Sequence, residues 1–372
     1  MISRVSYEAR LIWVSVLLIM SAGLLTLYSA SYDNLRVTGQ VFYDQLVCGV
    51  IALGLMFFLS RVPYRAFYDV AYPFYIINVL LLLFVLFAGR SALGATRWFN
   101  VAGVTFQPSE VSKIAVILML GRYFSNRNPK LSFSTRSSFY ALGRDLIYPL
   151  FLTLISFVLI FKQPDLGTGI LVFGIFLIML YASGIEGKPF ACFLGACAAL
   201  VWPLWHMLKP YQKDRLLVFM NPNIDPLGAG YTIIQSRIAI GSGQIFGKGW
   251  FAGTQNQLNF LPERHTDFIF AVIGEEWGFV GTLFLLGCYF TLIYAGILIA
   301  GRIKDKFGYL VAVGIISILT LQVVINMSMT MGLSPVVGIT LPFVSYGRTS
   351  FMVFAVMMGF LLNLSRQRRA SL

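Results

Sequence analysis

Long, uninterrupted apolar runs recur along this chain and limit what it can fold into. Leu11 to Tyr28 is the first of them, and hydrophobic residues make up 58% of the sequence. Only 12% of the residues are charged, whereas soluble domains carry about a quarter. In lipid only helices or closed barrels satisfy their own backbone hydrogen bonds. Because the runs do not alternate between apolar and polar residues, the sequence predicts an all-α, polytopic membrane protein.

Ten apolar segments are candidates for membrane-spanning helices, although the second and the fourth are short for a full span. We predict that they form one transmembrane domain, residues 1–372, without a soluble domain of any size. The predicted helices cover residues 10–30, 45–60, 70–88, 108–124, 146–162, 166–183, 190–208, 269–300, 308–331 and 341–364.

The lysines and arginines indicate the orientation of the chain, because short cytoplasmic loops are enriched in them. If both termini are cytoplasmic, the loops on that side carry more of the 28 cations than the loops on the other side. Of the cations on the opposite side, more than half belong to one long loop, which the rule weights weakly. The sequence therefore predicts cytoplasmic termini. Despite a net charge of +13, this scattered distribution is not that of a nucleic-acid-binding surface.

The long loop covers about residues 209–268, between the seventh and eighth helices, on the extracytoplasmic side. It contains an amphipathic stretch with Tyr231, Ile234 and Ile238 on one helical face, which suits the membrane interface. A glycine-rich run, 241–249, follows this stretch. The run is either a flexible loop or a place where backbone N–H groups approach an anion.

Two oppositely charged residues begin the fourth predicted helix. Glu110 and Lys113 follow Pro108, which suits a first helical position, and their spacing places them on one face. Charged groups inside a membrane are costly and commonly functional. Two interpretations stay open: a structural ion pair that pins two helices, or a pair that lines a polar cavity and orients another charge.

A carboxylate also stands where the eighth predicted helix begins. Asp267 directly precedes an apolar run, whereas Glu275 and Glu276 lie about 80° and about 180° round the helix from it. At such a position, partly removed from water, Asp267 can act as a general base. It can equally be a helix N-cap, because aspartate is a good cap.

The other polar segments carry less information. Lys162 to Thr168 holds a proline, an aspartate and a glycine, and we interpret it as an ordinary tight turn. The two histidines, His206 and His265, belong to no metal-ligand spacing or Ser-His-Asp arrangement, so no metal site is predicted. The residues alone thus predict a helical membrane protein with a candidate base, but no substrate.

Seven motifs follow one another along the chain. They are Gly94 to Phe99 (GATRWF), Gln107 to Lys113 (QPSEVSK), Gly230 to Gln244 (GYTIIQSRIAIGSGQ), Gly247 to Trp250 (GKGW), Gly253 to Gln257 (GTQNQ), Phe260 to Ala271 (FLPERHTDFIFA) and Leu341 to Gly347 (LPFVSYG). Together they resemble the SEDS family (shape, elongation, division and sporulation), and within it the rod-shape-determining branch. The resemblance runs from the first predicted span to the last.

The resemblance implies a ten-helix peptidoglycan glycosyltransferase that polymerises lipid II outside the bacterial cytoplasmic membrane. It also implies a class B penicillin-binding protein as transpeptidase partner within the elongation machinery. By motif position, Asp267 corresponds to the family's essential aspartate, and Glu110 with Lys113 to its intramembrane ion pair. The resemblance further implies these cavity-lining candidates: Arg97, Arg215, Gln235, Ser236, Ser242 and His265.

The implied reaction agrees with the chemistry of the long loop. A pyrophosphate leaving group needs positive charge and N–H donors, which Arg215, Arg237, Lys248 and the glycine-rich run can supply. The attacking sugar hydroxyl needs a base, and Asp267 is the candidate. A divalent cation, Mg²⁺ or Mn²⁺, that bridges Asp267 and the pyrophosphate is an optional addition, because the sequence does not show one.

One position departs from the family pattern. Arg348 stands where the family has a glycine after Tyr346-Gly347. This arginine either adds a pyrophosphate contact or fills space that other members leave open.

Two other functions remain as alternatives. A flippase for lipid-linked precursors would share the many spans and polar groups, but the chain shows no inverted repeat. A scaffold that only holds the penicillin-binding protein would not require Asp267.

Overall fold

The computed structural model describes residues 6–31, 35–92, 95–101, 104–127, 143–207, 210–228 and 230–367. Lys209, the first residue of the predicted loop, lies outside them. Within the described residues we number the helices α1 to α13: Tyr7–Ala30, Leu35–Leu59, Tyr64–Ala88, Pro108–Ser125, Tyr148–Lys162, Leu166–Ala182, Gly187–Met207, Pro210–Met220, Tyr231–Ser242, Thr254–Gln257, Ile269–Ala300, Lys306–Thr330 and Arg348–Gln367.

The ten predicted spans all correspond to helices, namely α1 to α7 and α11 to α13. Seven helices in the described part of the chain are long and apolar enough to cross a membrane. α6 and the segment Gly187–Pro203 of α7 are apolar but shorter. α4 is the most charged of the ten, since it carries Glu110, Lys113 and Arg122. The protein is therefore a multi-pass helical membrane protein, as the sequence predicts.

A small sheet follows α3 and was not predicted. Strands β1 (Arg90–Ala92), β2 (Ala95–Val101) and β3 (Val104–Phe106) pair antiparallel in the order β1-β2-β3. Short strands of this kind give no apolar run or long alternation, so periodicity does not reveal them. The sheet bears on the site because Arg97 lies on β2.

The long loop is largely folded. It contains α8, a 3₁₀ turn at Pro222–Ile224, α9 and the single turn α10. α9 confirms a helix at the stretch that was predicted to be amphipathic: Ile233, Ser236 and Ala239 are buried, whereas Ile238 is 46% exposed. Of the predicted interfacial face, Ile238 is exposed and Tyr231 and Ile234 are half-buried, so the contact with the membrane interface stays a prediction.

Three helices differ from their predicted course. α2 begins at Leu35 and not at residue 45, so it is long enough for a full span. The last helix begins at Arg348 and not at residue 341, because Leu341 to Tyr346 forms turns. α11 is interrupted at Gly278, where φ is 66° and ψ is −162°. The differences in the last helix and in α11 arise from hydrogen bonds to segments that are distant in the sequence, described below.

The chain forms two compact units. The first comprises Met1–Phe57, Lys209–Ala295 and Leu319–Met358; the second comprises Phe58–Leu208, Gly296–Ile318 and Gly359–Leu372. Several boundaries fall inside helices and not in the exposed linkers that usually separate domains. The single domain 1–372 stays a prediction.

In the second unit, α4 is the central helix. α3, α5 and α6 all contact it, and its residues from Ile114 to Leu120 are all buried. Buried polar groups around it are hydrogen-bonded: Ser112 Oγ donates to Asn78 Oδ1 at 2.8 Å, and Asn78 Nδ2 donates to Pro108 O at 3.1 Å. These bonds satisfy polar groups that would otherwise be buried without a partner.

Candidate functional site

Asp267 lies in the turn that leads into α11. The helix begins at Ile269, so the position directly before it belongs to Phe268. The two readings of Asp267, as a general base and as a cap of this helix, both stay predictions. Its side chain is half-buried, so it can reach a ligand while part of its hydration is removed.

The main chain of Asp267 is fixed by a buried amide. Asn326, on α12, donates from Nδ2 to the carbonyl oxygen of Asp267 at 3.0 Å and to that of Ile339 at 2.6 Å. The side chain of Asn326 is completely buried. One amide thus ties the turn before α11 to the irregular segment that follows α12.

The carboxylate of Asp267 lies against Gly338. A Cβ atom at Gly338 would come within 3.3 Å of Asp267 Oδ2, and the φ angle of this glycine is +69°. Left-handed backbone is favourable for glycine and costly for other residues. Gly338 therefore permits both the turn and the close approach of the carboxylate.

A second pair of contacts joins the same two segments. Ser345 Oγ donates to Thr266 O at 2.5 Å, and the N–H of Tyr346 donates to His265 O at 2.9 Å. These bonds hold the backbone from Leu341 to Tyr346 out of the helix that sequence alone predicted there. The ring of His265 lies 6.3 Å from that of Tyr346. Burial lowers the pKa of His265, so this histidine is neutral at pH 7.

Two further predicted residues contact the region after α12. Ser236, buried on α9, donates from Oγ to Thr330 O at 2.6 Å. Arg215, exposed on α8, donates from Nη1 to Val336 O at 3.4 Å. Gln235, next to Ser236 on α9, is half-buried. The first unit thus gathers Asp267, His265, Ser236 and Arg215 around residues 330–346.

The glycine-rich run has a structural role that the sequence did not reveal. The N–H groups of Lys248 and Gly249 donate to the carbonyls of Glu275 and Glu276, each at 3.0 Å. The N–H of Phe279 donates to Gln244 O at 2.9 Å, next to the break at Gly278. Of the two readings of the run, the contact with an anion does not apply to the N–H groups of Lys248 and Gly249, because α11 already binds them.

Lys248 and Ser242 lie against protein groups. Lys248 Nζ is 2.8 Å from Glu275 Oε1 and 2.8 Å from Thr254 Oγ1. Glu275 is fully buried, so the lysine compensates its charge. Ser242 Oγ donates to Ala239 O at 2.8 Å, within its own helix. Substrate contacts of Lys248 and Ser242 stay predictions.

The other glutamate of α11 is also held by hydrogen bonds. Glu276 Oε1 accepts from Ser29 Oγ at 2.5 Å and from Asn256 Nδ2 at 3.2 Å. Glu275 and Glu276 therefore fasten the long loop and α1 to α11. Neither contact includes Asp267, in agreement with their different angular positions on the helix.

In the second unit, the predicted ion pair is present. Lys113 Nζ lies 2.8 Å from Glu110 Oε2, and the lysine side chain is fully buried. The side chain of Glu110 is 10% exposed. The geometry confirms the pairing, whereas a substrate contact stays a prediction.

A polar cluster surrounds the start of α4. Arg97 donates from Nε to Gln163 O at 3.1 Å and from its guanidinium to Pro164 O. Asp165 caps α6 through the N–H of Thr168 at 3.3 Å. The predicted turn is thus confirmed. Its buried aspartate also accepts a hydrogen bond of 2.9 Å from Ser109 Oγ, which sequence reasoning missed.

Arg348 forms an ion pair with Asp44 of α2. The arginine is 23% exposed and the aspartate 38% exposed. Asp44 therefore compensates the charge of Arg348. The two roles that the sequence offers for this arginine are a pyrophosphate contact and the filling of space that other members leave open. The acidic partner was not foreseen, because it lies about three hundred residues away in the sequence.

Within the described residues, no three side chains of His, Cys, Asp and Glu gather in a way that could hold a metal ion. A divalent cation at Asp267 stays a prediction.

Comparison with known proteins identifies the family. The family model for FtsW, RodA and SpoVE, described as "Cell cycle protein", matches residues 9–370. The chain belongs to this family. The peptidoglycan glycosyltransferase MrdB of Escherichia coli (strain K12) is 43% identical over 332 residues, which is 86% of this chain and 85% of that protein. Stage V sporulation protein E of Bacillus subtilis (strain 168) is 36% identical, over 96% of this chain and 97% of that protein.

Solved structures of relatives have the same fold. A chain from work described as "Structural coordination of polymerization and crosslinking by a peptidoglycan synthase complex" is 31% identical, with a TM-score of 0.80. That match covers 96% of this chain and 97% of the other. The crystal structure of Thermus thermophilus rod shape determining protein RodA is 28% identical, with a TM-score of 0.69 and 96% of each chain covered.

Proposed function

We propose that this member of the FtsW, RodA and SpoVE family is a peptidoglycan glycosyltransferase that polymerises lipid II during cell-wall elongation. Relatives that are named peptidoglycan glycosyltransferase match 86% and 96% of this chain. The observation that carries the proposal is the placement of Asp267: a half-buried carboxylate fixed by Asn326 and Gly338 at the start of α11.

Asp267 is the general base of the proposed reaction. Its carboxylate takes the proton of the attacking sugar hydroxyl, and the hydroxyl oxygen forms a bond to the anomeric carbon of the donor sugar. The bond between that carbon and the pyrophosphate oxygen breaks, and undecaprenyl pyrophosphate leaves. A carboxylate with a fixed main chain serves this role well, because positioning contributes much of a rate enhancement.

Arg215 stabilises the negative charge that develops on the pyrophosphate. Its exposed guanidinium is anchored to Val336 O, in the same irregular segment as Gly338. His265 is neutral at pH 7 and can donate a hydrogen bond without adding charge. The proposed set of substrate-binding residues also includes Gln235, Ser236, Ser242 and Lys248 and, in the second unit, Arg97, Glu110 and Lys113.

The enzyme works in the bacterial cytoplasmic membrane, with both termini in the cytoplasm and residues 209–268 outside. Its partner is a class B penicillin-binding protein, which crosslinks the glycan strands. The solved chain from a peptidoglycan synthase complex supports such a partnership. The membrane holds the polyprenyl tail of the substrate while the reaction proceeds at its outer surface.

Polymerisation of lipid II in detergent tests this function. The purified chain with its penicillin-binding partner should form glycan strands, and Asp267→Asn should form none, because the amide cannot accept the proton. Asp214→Asn is the matched control, since Asp214 is an exposed aspartate on α8. It should polymerise at the native rate.

Three results would contradict the proposal in different ways. Equal polymer from the native chain and Asp267→Asn would remove Asp267 as the base and support a scaffold. No polymer from either, with lipid II transferred across vesicles, would support a flippase. Loss of polymer in Asp214→Asn as well would show that the assay reports on stability and not on the base.

A further inference from the structure

The second unit contains a cavity of about 610 Å³ that the proposed reaction does not use. It lies among α3, the end of α4, the start of α5 and the π-helical turn Gly143–Ile147 that precedes α5. Tyrosine and arginine dominate its lining, which consists of Tyr72, Tyr75, Ile76, Tyr123, Arg127, Arg144, Tyr148 and Leu152.

Arg127 presents an unsatisfied donor to this cavity. Its guanidinium lies 4.6 Å above the ring of Tyr123, and its Nη1 atom is buried without a hydrogen-bond partner in the described part of the chain. A buried charged donor without an acceptor costs free energy. The position is therefore built for an acceptor that the protein does not supply, and an anion would meet that need.

The surroundings of the cavity keep a surplus of positive charge. Arg144 forms a bidentate pair with the buried Asp145, at 2.8 and 3.1 Å, but 57% of its side chain remains exposed. Arg122 lies between the rings of Tyr68 and Tyr72, at 4.7 and 4.6 Å. Arg127 and Arg144 thus line the cavity, and Arg122 lies over Tyr72, which lines it too. A further cation is near, because Lys306 Nζ donates to Arg127 O.

The cavity borders an apolar surface on α3 and α5. Ile76 lines it and is 56% exposed, and Tyr148 is 50% exposed. Next to it, Ile147 at the end of the π-helical turn and Phe151 on α5 are 53% and 59% exposed. α3 and α5 belong to the candidate membrane spans, so these side chains face lipid tails. An anion with an attached acyl chain fits this combination better than a free ion.

We propose that the cavity binds the phosphate headgroup of an anionic phospholipid, whose acyl chains run along α3 and α5. Guanidinium groups bind phosphate by charge-assisted hydrogen bonds, and tyrosines are typical of the membrane interface. On the orientation that the sequence predicts, the lipid belongs to the cytoplasmic leaflet. Basic pockets between helices on that side are suited to anionic headgroups.

Native mass spectrometry of the full-length chain tests the site with phosphatidylglycerol as the probe. Native protein should retain this lipid, and Arg127→Gln should retain it roughly tenfold less tightly, the effect of one charge-assisted hydrogen bond. Arg127→Lys keeps the charge and should restore part of the binding. Arg65→Gln is the matched control: Arg65 is exposed on α3, does not line the cavity and should leave retention unchanged.

Two further measurements separate the sources of the phosphate. Phosphatidylcholine should bind more weakly than phosphatidylglycerol, because its headgroup has no net charge, and inorganic phosphate should not displace the lipid. Equal retention by the native chain and Arg127→Gln would overturn the proposal. Displacement by inorganic phosphate would overturn the lipid assignment in favour of a soluble anion. Lipid II polymerisation is a separate readout, so the two proposals can fail independently.

Discussion

At the scale of single residues, the position of Asp267 depends on a glycine with left-handed backbone. Gly338→Ala should lower the free energy of unfolding by about 1–2 kcal/mol, since φ is +69° there. The added methyl group would also press on Asp267 Oδ2 from 3.3 Å. We expect lipid II polymerisation to fall roughly tenfold to a hundredfold, because small displacements of a reacting group have large effects.

Gly184 provides the control for this substitution. Its φ is +99°, but no atom lies within 4 Å of a Cβ placed there. Gly184→Ala should show a similar loss of thermal stability and retain native polymerisation. If the two variants lost activity equally, the effect of Gly338→Ala would be strain alone and not contact with Asp267.

His265 should give the protein a measurable pH dependence. Burial lowers its pKa in the folded chain below the usual value of about 6.5. As pH falls through that value, the unfolded chain binds the proton first, so stability is lost with acidification. At pH 7 and above, both states are neutral and the contribution vanishes. In His265→Asn, the melting temperature should therefore fall less between pH 7 and pH 5 than in the native chain.

The only other histidine serves as the reference for that experiment. His206 is exposed at the end of α7. His206→Asn should keep the native slope of melting temperature against pH. A native slope in His265→Asn would show that other groups cause the pH dependence.

At the scale of helices, α4 carries a buried pair whose two roles can be separated. Lys113→Ala should destabilise the protein by about 3–5 kcal/mol, because it leaves Glu110 buried without its cation. The exchange Glu110→Lys with Lys113→Glu should restore much of that stability, as the charges can pair again. We expect the exchanged protein to fold but not to polymerise lipid II, since position 110 would then present a cation.

Thermal unfolding measures the structural role of the Glu110–Lys113 pair, and the polymerisation assay measures its role in activity. Full activity in the folded exchange variant would limit Glu110 and Lys113 to a structural pair. Failure of Lys113→Ala to lower the melting temperature would contradict the stabilising role itself.

At the scale of the whole molecule, the sequence predicts those features of the fold that depend on residues close together in the chain. The ten helices follow from run length and apolarity, and the pairing of Glu110 with Lys113 follows from helical spacing. The start of α13 at Arg348 does not, because Leu341 to Tyr346 is apolar but bonded to Thr266 and His265. The break at Gly278 likewise depends on bonds from the glycine-rich run.

The candidate site likewise combines a residue that a local pattern reveals with contacts between distant segments of the chain. Asp267 could be found because a carboxylate before an apolar run is locally conspicuous. Its supports could not, because Asn326 and Gly338 lie more than fifty residues further along the chain. The compensation of Arg348 by Asp44 and of Lys248 by Glu275 also depends on contacts that no local pattern records.

The orientation of the chain is a prediction for the molecule as a whole. In a variant without its natural cysteines, Leu227→Cys and Lys304→Cys each place one thiol on an exposed position. Leu227 is in the long loop, and Lys304 is between α11 and α12. If the excess of cations sets the orientation, a membrane-impermeant maleimide should label Leu227→Cys in intact cells. Lys304→Cys should react only after the membrane is permeabilised, and the reverse pattern would move the reaction around Asp267 to the cytoplasmic side.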